Sequence, residues 1–228
     1  MCMMNKTNKL KYLIVGTGRS GTGYLSKLLT LNGISCGHED IFNPWSNTIP
    51  DNNDFMADAS WLGAPHIKAY KNLQVYHVVR NPVKVVESWM NKNDEGIWGN
   101  RVISRSGMIT RKSSPYWKFV EHHLPEISEI KTPLDATIYY VVEWSKKIKE
   151  EVGDNFYRLE TDCMQMLRDM GIDNPQLFED TTYNRKQSSS DKNKPKENIY
   201  KLKSSDIKGV YREMLRQHIH DYGYLSTL

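Results

Sequence analysis

The residues best equipped for chemistry fall in three short stretches. In the first, Gly16-Thr17-Gly18-Arg19-Ser20-Gly21-Thr22, glycines, hydroxyls and one cation lie between an apolar run, Tyr12–Val15, and a run with helical spacing, "GYLSKLLTLNG". A glycine turn between a strand and a helix brings backbone N–H groups and the positive end of the helix to one point, which suits an anion. Three loop types nearly fit. The pattern G-x-G-x-x-G, with Glu39 or Asp40 about 20 positions on, satisfies a dinucleotide fingerprint. A Walker loop would need lysine after Gly21, where Thr22 stands. A hydrolase nucleophile elbow around Ser20 would need glycine at position 22. Arg19 and Ser20 inside the turn favour a grip on a terminal anionic group, with Gly18, Gly21, Thr22 and Gly23 shaping the cradle and no metal required.

The second stretch is "VYHVVRNPVKVVESW", residues 75–89. It places Arg80 at the carboxyl end of a β-branched run and Ser88 eight positions later on the following helix. A guanidinium at a strand tip can fork onto a phosphate, and a hydroxyl folding back beside it can share that anion. Two anion sites on neighbouring strands describe a nucleotide phosphorylated in two places. The third stretch, Gly37-His38-Glu39, puts an imidazole and a carboxylate just beyond the first helix. Either can act as a base if burial brings its pKa toward neutrality. Tyr116, Trp98 and Trp117 could form an acceptor platform or pack a core, and Asp58 and Ser60 could reach an acceptor or cap a helix. His122-His123 is expected on an exposed helix face.

Together these stretches resemble the sulfotransferases that use 3′-phosphoadenosine 5′-phosphosulfate (PAPS). "GTGRSGT" resembles their 5′-phosphosulfate loop and "RNPVKVVESW" their 3′-phosphate site. The resemblance implies that Arg19 and the Ser20–Gly23 amides hold the phosphosulfate, that Tyr24 stacks on adenine, and that Arg80 and Ser88 hold the 3′-phosphate. "YNRKQ" resembles a basic loop closing over the nucleotide, which would assign Arg185 and Lys186, within residues 184–198, to the same ligand. In "HIKAY" Lys68 matches a lysine of cytosolic members, which the resemblance implies contacts the bridging oxygen, and Tyr70 stands where those members keep a histidine. "GHE" with "SWLGAP" is similar to the bacterial, carbohydrate-type branch, in which the glutamate, here Glu39, is the base. The fold so implied is a P-loop-like sulfotransferase domain.

The elements that must position these residues alternate. Strands are expected at Tyr12–Val15, 75–80 and 155–160. Helices are expected after Gly21, after Asn81-Pro82, near 116–124, from the capping box Thr132–Asp135 to about Val152, from Thr161 to Met170, and from Ser204 or Ser205 to near Gly223. "FMADASWLGAP" reads as a short helix ended by Pro65. Alternating strands and helices predict an α/β class with a central, mainly parallel sheet flanked by helices. Residues 1–228 read as one domain, with an insertion at roughly 94–133 on the acceptor side.

Composition sets the outer limits. The chain has 228 residues, a net charge of +4 and three widely spaced cysteines, which imply neither a disulfide framework nor a metal site. The mild positive charge suits an anionic ligand without indicating a nucleic-acid coat. No apolar run approaches a membrane span or a secretory signal, so a cytoplasmic setting is the default expectation. The expected activity is sulfuryl transfer from PAPS to an acceptor hydroxyl on a glycan, lipid or small molecule, leaving 3′,5′-adenosine bisphosphate. An NAD(P)-dependent oxidoreductase and a non-catalytic adenosine-bisphosphate-binding module remain as alternatives.

Overall fold

A computed structural model describes residues 10–44, 53–91, 115–178 and 200–225. Five parallel strands form the centre: β1 Tyr12–Val15, β2 Cys36–Gly37, β3 Ala57–Ala59, β4 Gln74–Val79 and β5 Tyr157–Arg158. Their spatial order is β2-β3-β1-β4-β5. Parallel neighbours cannot be joined by tight turns, so each connection crosses a face of the sheet, mostly as a helix.

The middle strand shows why the sheet is covered on both sides. Leu13 and Val15 pack into one buried cluster with Val86, Trp89, Tyr140 and Trp144, while Ile14 points into a second with Leu25, Leu28, Met166 and Leu167. Successive strand side chains face opposite ways, so a continuous apolar run implies two cores. Helices α1 Thr22–Leu31 and α5 Cys163–Asp169 cover the second face. On the first lie α2 Pro82–Met90, α3 Pro115–His123, α4 Pro133–Val152 and α6 Gly209–Asp221. One sheet with both faces covered makes a single α/β domain.

Local chemistry starts and stops these helices. The Asn81 side chain accepts hydrogen bonds from the N–H groups of Val83 and Lys84 at 3.0 and 3.3 Å, with Pro82 at the first helical position. Thr132 Oγ1 accepts from Asp135 N at 3.1 Å to open α4. Gly33, at φ 82°, lets the chain turn out of α1, and Ile34 N donates back to Leu29 O at 2.9 Å.

Two expectations are corrected. Residues 57–59 form the inner strand β3 instead of helix, and a 3₁₀ helix then runs from Trp61 to Ala69, through Pro65. "ADA" carries no strand signature because its small side chains lie flat between two covered faces. The final α-helix begins at Gly209; Ser204–Asp206 forms a separate 3₁₀ turn before it. Of the stretch 94–133, residues 94–114 lie outside the described residues, whereas Trp117 and Val120 on α3 belong to the main core. No helix among the described residues is long and apolar enough to cross a membrane.

Candidate anion-binding site

β2 and β3 lie to one side of β1, and β4 and β5 to the other. The carboxyl end of β1 is therefore the switch point of the sheet, where open α/β folds form ligand crevices. The glycine loop Gly16–Gly21 occupies it. A Cβ on Gly16 would stand 2.4 Å from Ser20 Oγ and 2.5 Å from Val78 O, so only glycine fits between the loop and β4. Arg19 and Gly21 both have left-handed backbone, φ 74° and 100°. That conformation turns the chain into α1 and leaves the first-turn N–H groups of a ten-residue helix facing the loop.

The loop is held from outside. Gly18 N donates to Tyr140 Oη at 2.8 Å, and Gly18 O accepts from Trp89 Nε1 at 3.0 Å. One residue is thus held through both its N–H and its C=O by side chains of α4 and α2. Ser20 N closes a turn onto Thr17 O at 3.0 Å. The Ser20 hydroxyl is buried, points toward Gly16, and has no hydrogen-bond partner among the described residues. A buried hydroxyl without a partner costs about 1–3 kcal/mol. At a helix N-terminus an incoming anion would remove that cost.

The second motif folds onto the first. Arg19 Nε donates to Ser88 Oγ at 3.0 Å, and Arg80 Nη1 donates to Arg19 O at 3.1 Å. Arg80, Arg19 and Ser88, far apart in sequence, therefore form one continuous surface beside the loop. Burial lowers the Arg80 pKa, opposed by Glu160, Tyr224 and Glu87, and a guanidinium remains charged there. Tyr24 sits on α1 with its ring edge-on to Phe178, centroids 5.6 Å apart. Arg185 and Lys186 lie outside the described residues.

The third motif is brought to the start of α1. His38 Nε2 lies 3.1 Å from Thr22 Oγ1 and 3.6 Å from Glu39 Oε1. Gly23 leaves room for this ring, since a Cβ there would meet His38 Cε1 at 3.3 Å. Burial lowers the His38 pKa, and Lys27 and Arg19 lower it further against the pull of Asp40. His38 is therefore neutral at pH 7. Glu39, also in left-handed backbone at φ 62°, keeps 15% of its side chain exposed. Its charge is felt by Tyr116 and Tyr140, whose pKa values are raised chiefly by burial and secondarily by Glu39. Both phenols stay protonated at neutral pH.

Lys68 is not part of this constellation. Its ammonium pairs with Glu151 at 2.8 Å and is largely exposed. Glu151 lies on α4 about 16 Å along the axis from Tyr140, the residue that holds the loop. Lys68 thus pairs away from the glycine loop. Asp58 does not reach an acceptor either: it is fully buried beneath the turn after β2. Ser60 does cap a helix, accepting from Leu62 N at 3.2 Å. Trp117 is core, Trp98 lies outside the described residues, and His123 is half-buried against Phe119 and Trp144.

Tyr140 and Trp89 are the functional contacts that sequence reasoning missed. Tyr140 reads as one apolar position in an amphipathic helix, and nothing in its neighbours marks its hydroxyl. Trp89 was legible only as a core residue of α2. Among the described residues no group of three or more His, Cys, Asp or Glu side chains could hold a metal ion. The strand order also differs from the dinucleotide arrangement 3-2-1-4-5-6, in which the strand leading to the ribose-binding acid neighbours the loop strand; here β3 separates β2, and hence Glu39, from β1. Comparison with family models, with curated proteins and with solved structures finds no match to this chain.

Proposed function

We propose that the protein is a sulfotransferase that moves a sulfuryl group from PAPS to an acceptor hydroxyl. The observation that carries this reading is the junction of the two anion motifs: Arg19, in the loop at the α1 N-terminus, bonded to Ser88, with Arg80 bonded to the Arg19 carbonyl. A nucleotide with phosphate at both 3′ and 5′ positions needs two such grips side by side. The unpartnered Ser20 hydroxyl and the orphan N–H groups of α1 support the 5′ grip.

In the proposed reaction the acceptor oxygen forms a bond to sulfur as the bond from sulfur to the 5′-phosphate oxygen breaks. Arg19 and the loop amides stabilise the charge that collects on the leaving phosphate. The loop, fixed by Tyr140 and Trp89, needs no reorganisation to do this. Glu39 accepts the hydroxyl proton, and neutral His38 bridges Glu39 and Thr22. In-line transfer with a loose transition state asks mainly for alignment and charge stabilisation, by analogy with phosphoryl transfer.

The test is calorimetric titration of the full chain with 3′,5′-adenosine bisphosphate, with NAD and ATP as controls. Binding of the bisphosphate, weakened on the order of 10-fold or more in Arg80→Ala, is the expected result, because a charge-assisted hydrogen bond contributes about 1.5–3 kcal/mol. Binding of NAD and not of the bisphosphate would overturn the reading. PAPS turnover lost in Glu39→Ala would then separate an enzyme from a binding module.

A further inference from the structure

Beneath the turn that carries His38 and Glu39 lies a carboxylate the proposed reaction does not use. Asp58, on β3, has no exposed surface. Its Oδ1 accepts from Asp40 N at 3.4 Å and its Oδ2 from Phe42 N at 3.3 Å, and the Ile41 N–H adds to the same group. Three consecutive backbone donors therefore converge on one side chain. From the other side Asp40 Oδ2 accepts from His38 N at 2.8 Å, so the turn is tied both to itself and to the sheet. Gly37 closes the arrangement, because a Cβ there would stand 2.8 Å from Asp58 Oδ1 and 3.0 Å from Asp40 Oδ2. Ser60, the residue just after that strand, adds a bond to Phe42 O at 3.3 Å.

We propose that Asp58 is the positioning residue of this site, holding residues 40–42 so that Glu39 is fixed in left-handed backbone and His38 lies against Thr22. Non-glycine residues adopt that conformation at a cost of roughly 1–2 kcal/mol, so it persists only where surrounding bonds over-determine it. A buried carboxylate receiving three N–H groups is such a restraint. A neutral amide would have to turn its own NH₂ toward at least one of those donors. Burial of Asp58, with help from Asp40, also raises its pKa to about 6 against the pull of the three N–H bonds, so the restraint weakens in mild acid. Cys36, on β2, is the other titratable group facing it, and its thiol is pushed up to about 12 by burial first and by Asp58 second. The catalytic meaning of this positioning rests on the sulfotransferase reading; the positioning itself does not.

The test follows the histidine ring signals of the isotopically labelled full chain by NMR against pH, with His38 assigned through His38→Gln. In the wild type the His38 side chain is 44% exposed, and its contacts with Thr22 and Gly23 bury enough of the ring to hold its midpoint below the ordinary imidazole range. In Asp58→Asn the freed turn should release the ring from Thr22 and Gly23 and move the His38 midpoint up, toward its unperturbed value. His77 on β4 and His218 on α6, both buried, serve as core reporters and keep their depressed midpoints. If Asp58→Asn loses those reporters as well, Gly37→Ala, which crowds the same carboxylate from the opposite side, gives the answer by the same shift. An unchanged His38 midpoint in a variant with an intact core overturns the proposal. The wild-type sample is titrated with 3′,5′-adenosine bisphosphate in parallel: failure to bind would remove the sulfotransferase reading while leaving the His38 result to judge Asp58.

Discussion

At the scale of single residues, the loop is a case of side chains fixing a backbone that the ligand would then meet. Gly18 is bonded through both its N–H and its C=O, to Tyr140 and Trp89. Tyr140→Phe removes one of these acceptors and leaves a buried N–H unpaired. A loss of about 1–3 kcal/mol in urea unfolding is expected, together with weaker bisphosphate binding. Gly21→Ala should cost at least about 1 kcal/mol, because an added Cβ meets Leu159 Cδ2 at 2.5 Å in a left-handed backbone. Arg19, Arg80 and Ser88 were singled out in the sequence by their offsets from strand ends, Arg19 in one site and the other two in a second; that Arg19 bonds to Ser88 and Arg80 to the Arg19 carbonyl was not legible there. Lys68 was grouped with them by its place before β4, whereas the structure pairs it with Glu151, because proximity to a strand in sequence does not say which end of the strand is meant. Asp58 and Tyr140 were not legible as structural supports: their roles depend on contacts across 18 and 122 positions, for which no spacing rule exists.

At the scale of elements, the helix starts were the most readable features. Asn-Pro and Thr-Pro-x-Asp determine their own geometry within four residues, and the structure has α2 and α4 beginning at Pro82 and Pro133. Asn81→Ala should therefore cost about 1 kcal/mol by thermal or urea unfolding, through the loss of two N–H bonds to its side chain. β3 was misread for the opposite reason. A three-residue strand of Ala, Asp and Ala is defined by its neighbours β1 and β2, and local propensity argues against it. The element that carries Glu39 is set by this least legible strand. Glu87 on α2 shows another long-range tie, accepting from Leu202 N at 3.1 Å and pairing with Lys201 at 3.3 Å, and so fastens the chain at residues 201–202 beside Ser88.

At the scale of the whole molecule, buried imidazoles control the response to acid. His77 on β4 and His218 on α6 are both buried, and both pack against Tyr222. Neither ring nitrogen of His77 has a hydrogen-bond partner among the described residues. Burial lowers their pKa values to about 3 and about 4, with His218 and Lys149 adding to the effect on His77, and Lys146 opposing Asp221 at His218. The unfolded chain binds protons at these groups first, so the stability they contribute is complete above the ordinary imidazole pKa and is lost as pH falls toward those values. Asp58 acts with the opposite sign. Its raised pKa means that ionisation costs stability above about pH 6, and that cost is relieved as pH falls below it. The downward shift at His77 is larger than the upward shift at Asp58, so net destabilisation between pH 6.5 and 4 is expected in urea titrations at stepped pH. His77→Leu should flatten that dependence, because it removes the larger of the two imidazole contributions without introducing a new polar group.

The clasp between Gly18 and Tyr140 also bears on how the chain is made. β1 is translated before both of its flanking strands, and the hydroxyl that fixes its loop arrives later still. A nascent chain that ends before Tyr140 can hold the apolar β1 segment but lacks the group that shapes the loop. Such long-range closure slows folding and leaves the early strand open to wrong pairings until the later helices dock. The glycine loop, translated before α4, therefore takes its final shape only after α4 has docked.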